Sequence, residues 1–177
     1  DEVRIRIARF EREKPHVHDP GYWLSHLYRA FHSLLRQREG SVEERARGML
    51  GRISATPAFL KAARETIQDP PRIFLDTATA LADAGPRLLG DVARAAREGD
   101  PGLGTALDDA VGEAENALNR FALALRGEFR AHHDDLSFAI GEDQFNRRLH
   151  HEHALRAGAP ELYRYGLHLA DEVEKEI

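Results

Sequence analysis

The sequence contains no cysteine. This removes disulfides, thiolate zinc sites and cysteine nucleophiles together. It leaves the redox compartment open, with the cytoplasm favoured. Long apolar runs are also missing. The longest is about five residues, Phe121 to Leu125, far short of the roughly 18 a membrane span requires. Val, Ile and Thr are scarce, and after Val3-Arg4-Ile5-Arg6-Ile7 no convincing alternation of apolar and polar residues appears, so strands have little to build on. That opening stretch reads equally as a short strand or as the tail of a helix, with Ile5, Ala8 and Phe10 on one face. An excess of positive charge is absent too. Lys and Arg number 25 against 30 Asp and Glu, a formal net charge of -5, which argues against a general nucleic-acid or anionic-membrane binder. Ten histidines would turn that charge positive in mildly acidic solution.

What is present is helical. With 42% hydrophobic and 31% charged residues over 177 positions, the chain has the composition of one soluble globular domain, and residues 1–177 read as a single helical domain. Asp19-Pro20 places an N-cap before a proline at the first helical position, and Tyr22, Trp23, Leu27, Phe31, Leu34 and Leu35 follow as a stripe ending at Gly40. Ser41 and Glu44 form a capping box, and Pro57 is expected to restart or kink the helix behind it. Asp69-Pro70-Pro71 is expected to close one element and cap the next, which kinks or breaks at Gly85-Pro86. Asp100-Pro101 repeats the cap. Leu103, Leu107, Val111, Ala114, Leu118, Phe121 and Leu125 then mark the most regular seam in the chain. Arg130 to Gly141 reads as a loop, Glu142 opens a helix to about His153, and Pro160 opens a last one with Leu162, Gly166, Ala170, Val173 and Ile177 on one side. The expectation is an all-α multi-helix bundle of about seven helices with corners marked by Pro and Gly. Trp23, Leu27, Phe31, Leu107, Val111, Leu118, Phe121 and Leu125 should be mostly buried. The start at Asp1 and the acidic, uncapped last turn ending on Ile177 suggest a piece of a longer chain.

The sequence places no catalytic residue. His150-His151-Glu152-His153 begins like a zinc-protease helix, but the second His of H-E-x-x-H would have to stand at Leu155. His150 and His153, at i and i+3, are candidate ligands of a surface zinc or nickel site needing a third ligand from elsewhere, against the plainer reading of a polar helix face. His16/His18 and His132/His133, the latter beside Asp134-Asp135, fall in expected loops where they either ligate a metal or are simply solvated. Three positions after Glu128, Glu142 and Glu152 stand Ala131, Phe145 and Leu155, so these glutamates open no Glu-x-x-His of the di-iron type. Gly102-Leu103-Gly104 reads as a helix start rather than a dinucleotide loop. Neither a phosphate-binding G-x-x-x-x-G-K-[ST] nor a G-x-S-x-G elbow occurs. The Tyr22, Trp23, Tyr28 and Phe31 cluster reads as core, and Arg147-Arg148 as a locally basic helix face.

The blocks Pro57-Ala58-Phe59-Leu60, Ala63-Arg64, Pro70-Pro71, Gly141-Glu142 to Leu149, Glu152-His153, Pro160-Glu161-Leu162 and Gly166 resemble, in order, the N-terminal portion of the bacterial domain of unknown function 885. The resemblance implies a mostly helical protein of zincin-like metallopeptidase character. Zinc and a His-Glu…Pro-Gly-His motif would then lie in a C-terminal half, the remainder of the same chain. That motif does not occur in this sequence, so the resemblance carries no metal ligand and no general base onto any position here. It implies instead a helical scaffold or a wall of a peptide cleft, inactive alone, in which Glu152 and His153 contact the cleft or orient their segment. The alternatives are a self-contained helical binding module and, further off, a His-rich metal-binding bundle. No nucleic acid or membrane is implied as a partner.

Overall fold

A computed structural model describes residues 3, 6–7, 9–130 and 138–176. Among them the chain is helical throughout and forms no sheet, the all-α bundle that the composition implies. The seven α-helices are α1 (Pro15–His18), α2 (Pro20–Arg36), α3 (Val42–Thr66), α4 (Arg72–Gly99), α5 (Gly104–Gly127), α6 (Glu142–Glu152) and α7 (Ala159–Glu176). A π-helical turn spans Arg9–Glu13 and a 3-10 turn Pro101–Leu103. Val3, Arg6 and Ile7 are helical, so the described part of the opening stretch is not a strand. Contacts gather the chain into two compact units, residues 15–138 and residues 1–14 with 139–177, where the sequence alone offers no linker and reads as one domain.

In the unit of residues 15–138, α2 and α5 each lie against both α3 and α4, which also pack on each other. The caps form as the residues demand. Asp19 Oδ1 accepts the Gly21 amide at 2.8 Å, and Ser41 Oγ accepts the Glu44 amide at 3.1 Å while Glu44 Oε2 accepts the Ser41 amide at 2.8 Å. Asp100 Oδ1 accepts the Gly102 amide and starts the 3-10 turn, and Gly104, at φ 28, turns the chain into α5. Asp69 does not cap. It takes φ 43, and Pro71 precedes α4 without a side-chain hydrogen bond.

Of the alternatives at the two interior prolines, a kink or an interruption, the interruption does not occur. α3 runs through Pro57 and α4 through Gly85-Pro86. A proline in a helix removes one amide and crowds the carbonyl four residues back, Ile53 here and Ala82 in α4. In both helices a hydroxyl takes the carbonyl one residue earlier still: Thr56 Oγ1 donates to Arg52 O at 3.1 Å, and Tyr28 Oη, from α2, to Leu81 O at 2.9 Å.

The core is formed by Leu24, Leu27 and Phe31 of α2, Met49, Ile53, Leu60 and Ala63 of α3, Leu75, Ala78, Leu89 and Val92 of α4, and the α5 seam. Leu107, Ala114, Leu118, Phe121 and Leu125 of that seam are buried, whereas Leu103 and Val111 are only partly so. Trp23 is also partly buried rather than mostly so. Its indole N–H donates to His16 O at 2.8 Å and its ring stands edge-on to Phe59, which fixes it at the margin of the core. The Arg126–Asp83 and Arg97–Asp108 pairs cross between α4 and α5 at exposed positions, where ion pairs add little.

The unit of residues 1–14 and 139–177 is built differently. Asn146 Oδ1 of α6 accepts the Ala159 amide at 2.7 Å and so caps α7 from outside its own sequence. Leu149 is the one buried apolar side chain among the unit's described residues. The apolar stripe of α7 does not enter a core: Leu162 is partly covered, while Tyr163, Leu167, Leu169 and Val173 are exposed.

Two stability measurements follow. Leu118→Ala is expected to cost about 2–5 kcal/mol in denaturant unfolding, because the side chain is fully buried in the core cluster. The Tyr28 phenol is pushed up from 10.0 to about 12, first by burial and then by Asp83. The folded state therefore prefers the neutral phenol, and this contribution is complete below pH 10 and is lost as pH rises towards 12. Tyr28→Phe should be less stable than the native chain near neutral pH, by about 0.5–1.5 kcal/mol for the missing hydrogen bond, with the gap closing over that alkaline window.

Candidate functional site

The histidine-rich segment ends α6. His150 and His151 are consecutive residues of the helix, with ring centroids 4.8 Å apart at 71°, and the helix stops at Glu152 so that His153 is its C-cap at φ -111, ψ 0. All four residues from His150 to His153 are exposed. Among the described residues no group of three or more His, Asp and Glu side chains could hold a metal ion. His150 and His153 therefore lack a third ligand there, and the residues present do not fit a closed zinc site of four protein ligands. His16 and His18 lie in the helical turn α1 rather than in a loop. The His16 carbonyl holds Trp23, and His18 Nδ1 stands 3.0 Å from Gln68 O. His132 and His133, with Asp134 and Asp135, lie outside the described residues. Glu13 and His16 do stand at Glu-x-x-His spacing, a pairing the sequence reading passed over, but Lys14 between them takes φ 46 and breaks the helical register such a site requires.

Beside Glu152, the π-turn and α6 enclose a small concavity of about 60 Å³ lined by Arg9, Glu13, Gln144, Arg147, Arg148, His151 and Glu152. Its centre is an ion pair of Arg148 Nη2 with Glu13 Oε2, whose side chains are 31% and 14% exposed. Arg9 Nε adds to Glu13 at 3.4 Å. Arg148 Nε is shielded from solvent without a hydrogen-bond partner among the described residues. Arg147-Arg148 thus splits in role: Arg148 is tied to the π-turn, while Arg147 reaches back towards its own helix at Asp143 O. A concavity of this size holds roughly two waters rather than a substrate, so its polar groups fix the segment that carries Glu152 and His153.

A larger groove lies in the unit of residues 15–138, between α3 and α5. It measures about 320 Å³ and is lined by Pro57, Ala58, Leu60, Lys61, Arg64, Ala117, Arg120 and Phe121. Leu60 and Phe121 are buried, and Ala58, Lys61, Arg64 and Arg120 are exposed at its rim. No local pattern announces it, because the two walls are some sixty positions apart and neither carries a catalytic or binding motif. Its α3 wall, however, is the block Pro57 to Arg64 that carries the family resemblance. No described helix is long and apolar enough to cross a membrane.

Neither a curated protein nor a solved structure matches the chain. One family does, over residues 1–177, described as bacterial protein of unknown function (DUF885). Since the match covers the whole chain, the protein belongs to the DUF885 family of bacterial proteins of unknown function.

Proposed function

We propose that this chain is the helical, non-catalytic region of a zincin-like metallopeptidase, supplying scaffold and one wall of a peptide cleft. Zinc and the catalytic groups then belong to the remainder of the same polypeptide. The observation that carries the reading is the uncovered apolar surface of α7. Tyr163 is 69% exposed, Tyr165 63%, Leu167 51% and Val173 48%, in a unit where Leu149 is the one buried apolar residue among those described. Burying such side chains is worth about 1.5–3 kcal/mol each, and an amphipathic helix with this much uncovered surface has the make-up of an interface. In a metallopeptidase-like protein the covering surface would be the catalytic half. Glu152 and His153 would stand on the wall, with the Glu13–Arg148 pair holding their segment in place. The resemblance of the ordered blocks to that family supports the same assignment. No step of hydrolysis is assigned to a residue of this chain.

The test compares residues 1–177 with the product of the full reading frame in which they lie, measuring bound zinc and peptide hydrolysis. Residues 1–177 alone are expected to show neither, and the long product both. In the long product, Glu152→Ala and His153→Ala should raise KM while leaving zinc content unchanged, as suits a cleft wall. Equimolar zinc with hydrolysis by residues 1–177 alone, or a long product without zinc, would overturn the reading. A self-contained helical binding module is the alternative, and the groove between α3 and α5 is the observation that favours it.

A further inference from the structure

We propose that the groove between α3 and α5 binds a small carboxylic acid with an apolar tail. This assignment is independent of the peptidase reading. The floor is hydrocarbon: Pro57, Ala58 and Leu60 on one side, Ala117 and Phe121 on the other. Leu60 and Phe121 are each 2% exposed, so core packing fixes the floor before any ligand arrives. The volume of about 320 Å³ stands at the lower end of the roughly 300–1,000 Å³ of small-molecule sites.

The rim decides the class of ligand. Lys61, Arg64 and Arg120 offer only donors, and no lining side chain offers an acceptor. Two of the three are already engaged, since Arg64 pairs with Glu128 and Lys61 Nζ stands 3.8 Å from Glu65. Arg120 has no acidic partner among the described residues. An intact guanidinium therefore stands beside an apolar slot, on a chain whose formal net charge is -5. A guanidinium fork matches a carboxylate through two parallel N–H···O bonds.

The same inventory argues against a peptide. A peptide lying in the groove would bring amide donors and acceptors against a floor that pairs with neither, and Pro57 has no N–H to offer. A hydrocarbon tail brings no such groups, and its single polar end is an acceptor-only anion. Tail and head thus fit floor and rim separately.

Octanoate is the probe, titrated into the intact 1–177 chain and followed by amide chemical shifts and calorimetry. Shifts confined to residues 58–64 and 117–121 are expected. Arg120→Gln should weaken binding about tenfold, the loss of one charge-assisted contact. Octylamine, with the same tail and the opposite charge, should not bind there. Ala58→Trp adds bulk at an exposed position on the groove mouth and should abolish binding without moving the unfolding transition. Octanoate that fails to bind, or that binds undiminished in both variants, would sink the proposal. So would an apolar peptide blocked at both ends that competes as well as octanoate, because the groove would then be a peptide-docking surface.

Discussion

The hydroxyl of Tyr28 reaches across from α2 to the Leu81 carbonyl of α4, five residues before Pro86, and marks the point at which α2, α4 and α5 meet. An interior proline costs a helix about 3 kcal/mol, and the 28-residue α4 runs through Pro86 packed against α2, α3 and α5. A Cβ on Gly85 would stand 2.5 Å from Tyr28 Oη and 3.2 Å from a Leu118 methyl, so α2, α4 and α5 meet where α4 has no side chain. Thr56, the residue before Pro57, donates its hydroxyl to Arg52 O within α3, which faces α5. Both long helices run through a proline, and the groove between α3 and α5 opens beside one of them.

The two units follow opposite logics. Residues 15–138 bury apolar residues from four helices, and their ion pairs are exposed additions to a body that packing already holds. The described residues of 1–14 and 139–177 bury almost nothing, and are tied instead by polar contacts, Asn146 capping α7 and Glu13 pairing with Arg148. Such contacts orient a segment without supplying the stabilisation of a core. In this unit α6 and α7 are tied while the apolar residues of α7 stay exposed.

Local chemistry was legible in the sequence. Asp19, the Ser41–Glu44 box, Asp100 and the α5 seam each declare themselves within a few residues, and each forms as the spacing requires. The prolines misled only as to a break: both lie inside helices, and the hydroxyl bonded beside Pro86 comes from Tyr28, more than fifty positions away. The α7 stripe misled in the other direction. Leu162, Gly166, Ala170 and Val173 have the periodicity of a core face, but periodicity gives a face without giving what covers it. The His150 to His153 segment drew attention by its zinc-protease-like start and its i, i+3 spacing, but among the described residues no three donors meet at one point. The groove was invisible, since it needs Lys61 and Arg120 from different helices over a floor of ordinary core residues.

The packing of residues 15–138 is that of a self-sufficient body, whereas residues 1–14 and 139–177 carry the uncovered surface of α7. Denaturant unfolding of residues 15–138 expressed alone, followed by circular dichroism, tests this most directly. The account predicts a single cooperative transition with a midpoint close to that of the 1–177 chain. A gradual loss of helix without a transition, or a midpoint far below that of the longer chain, would contradict it.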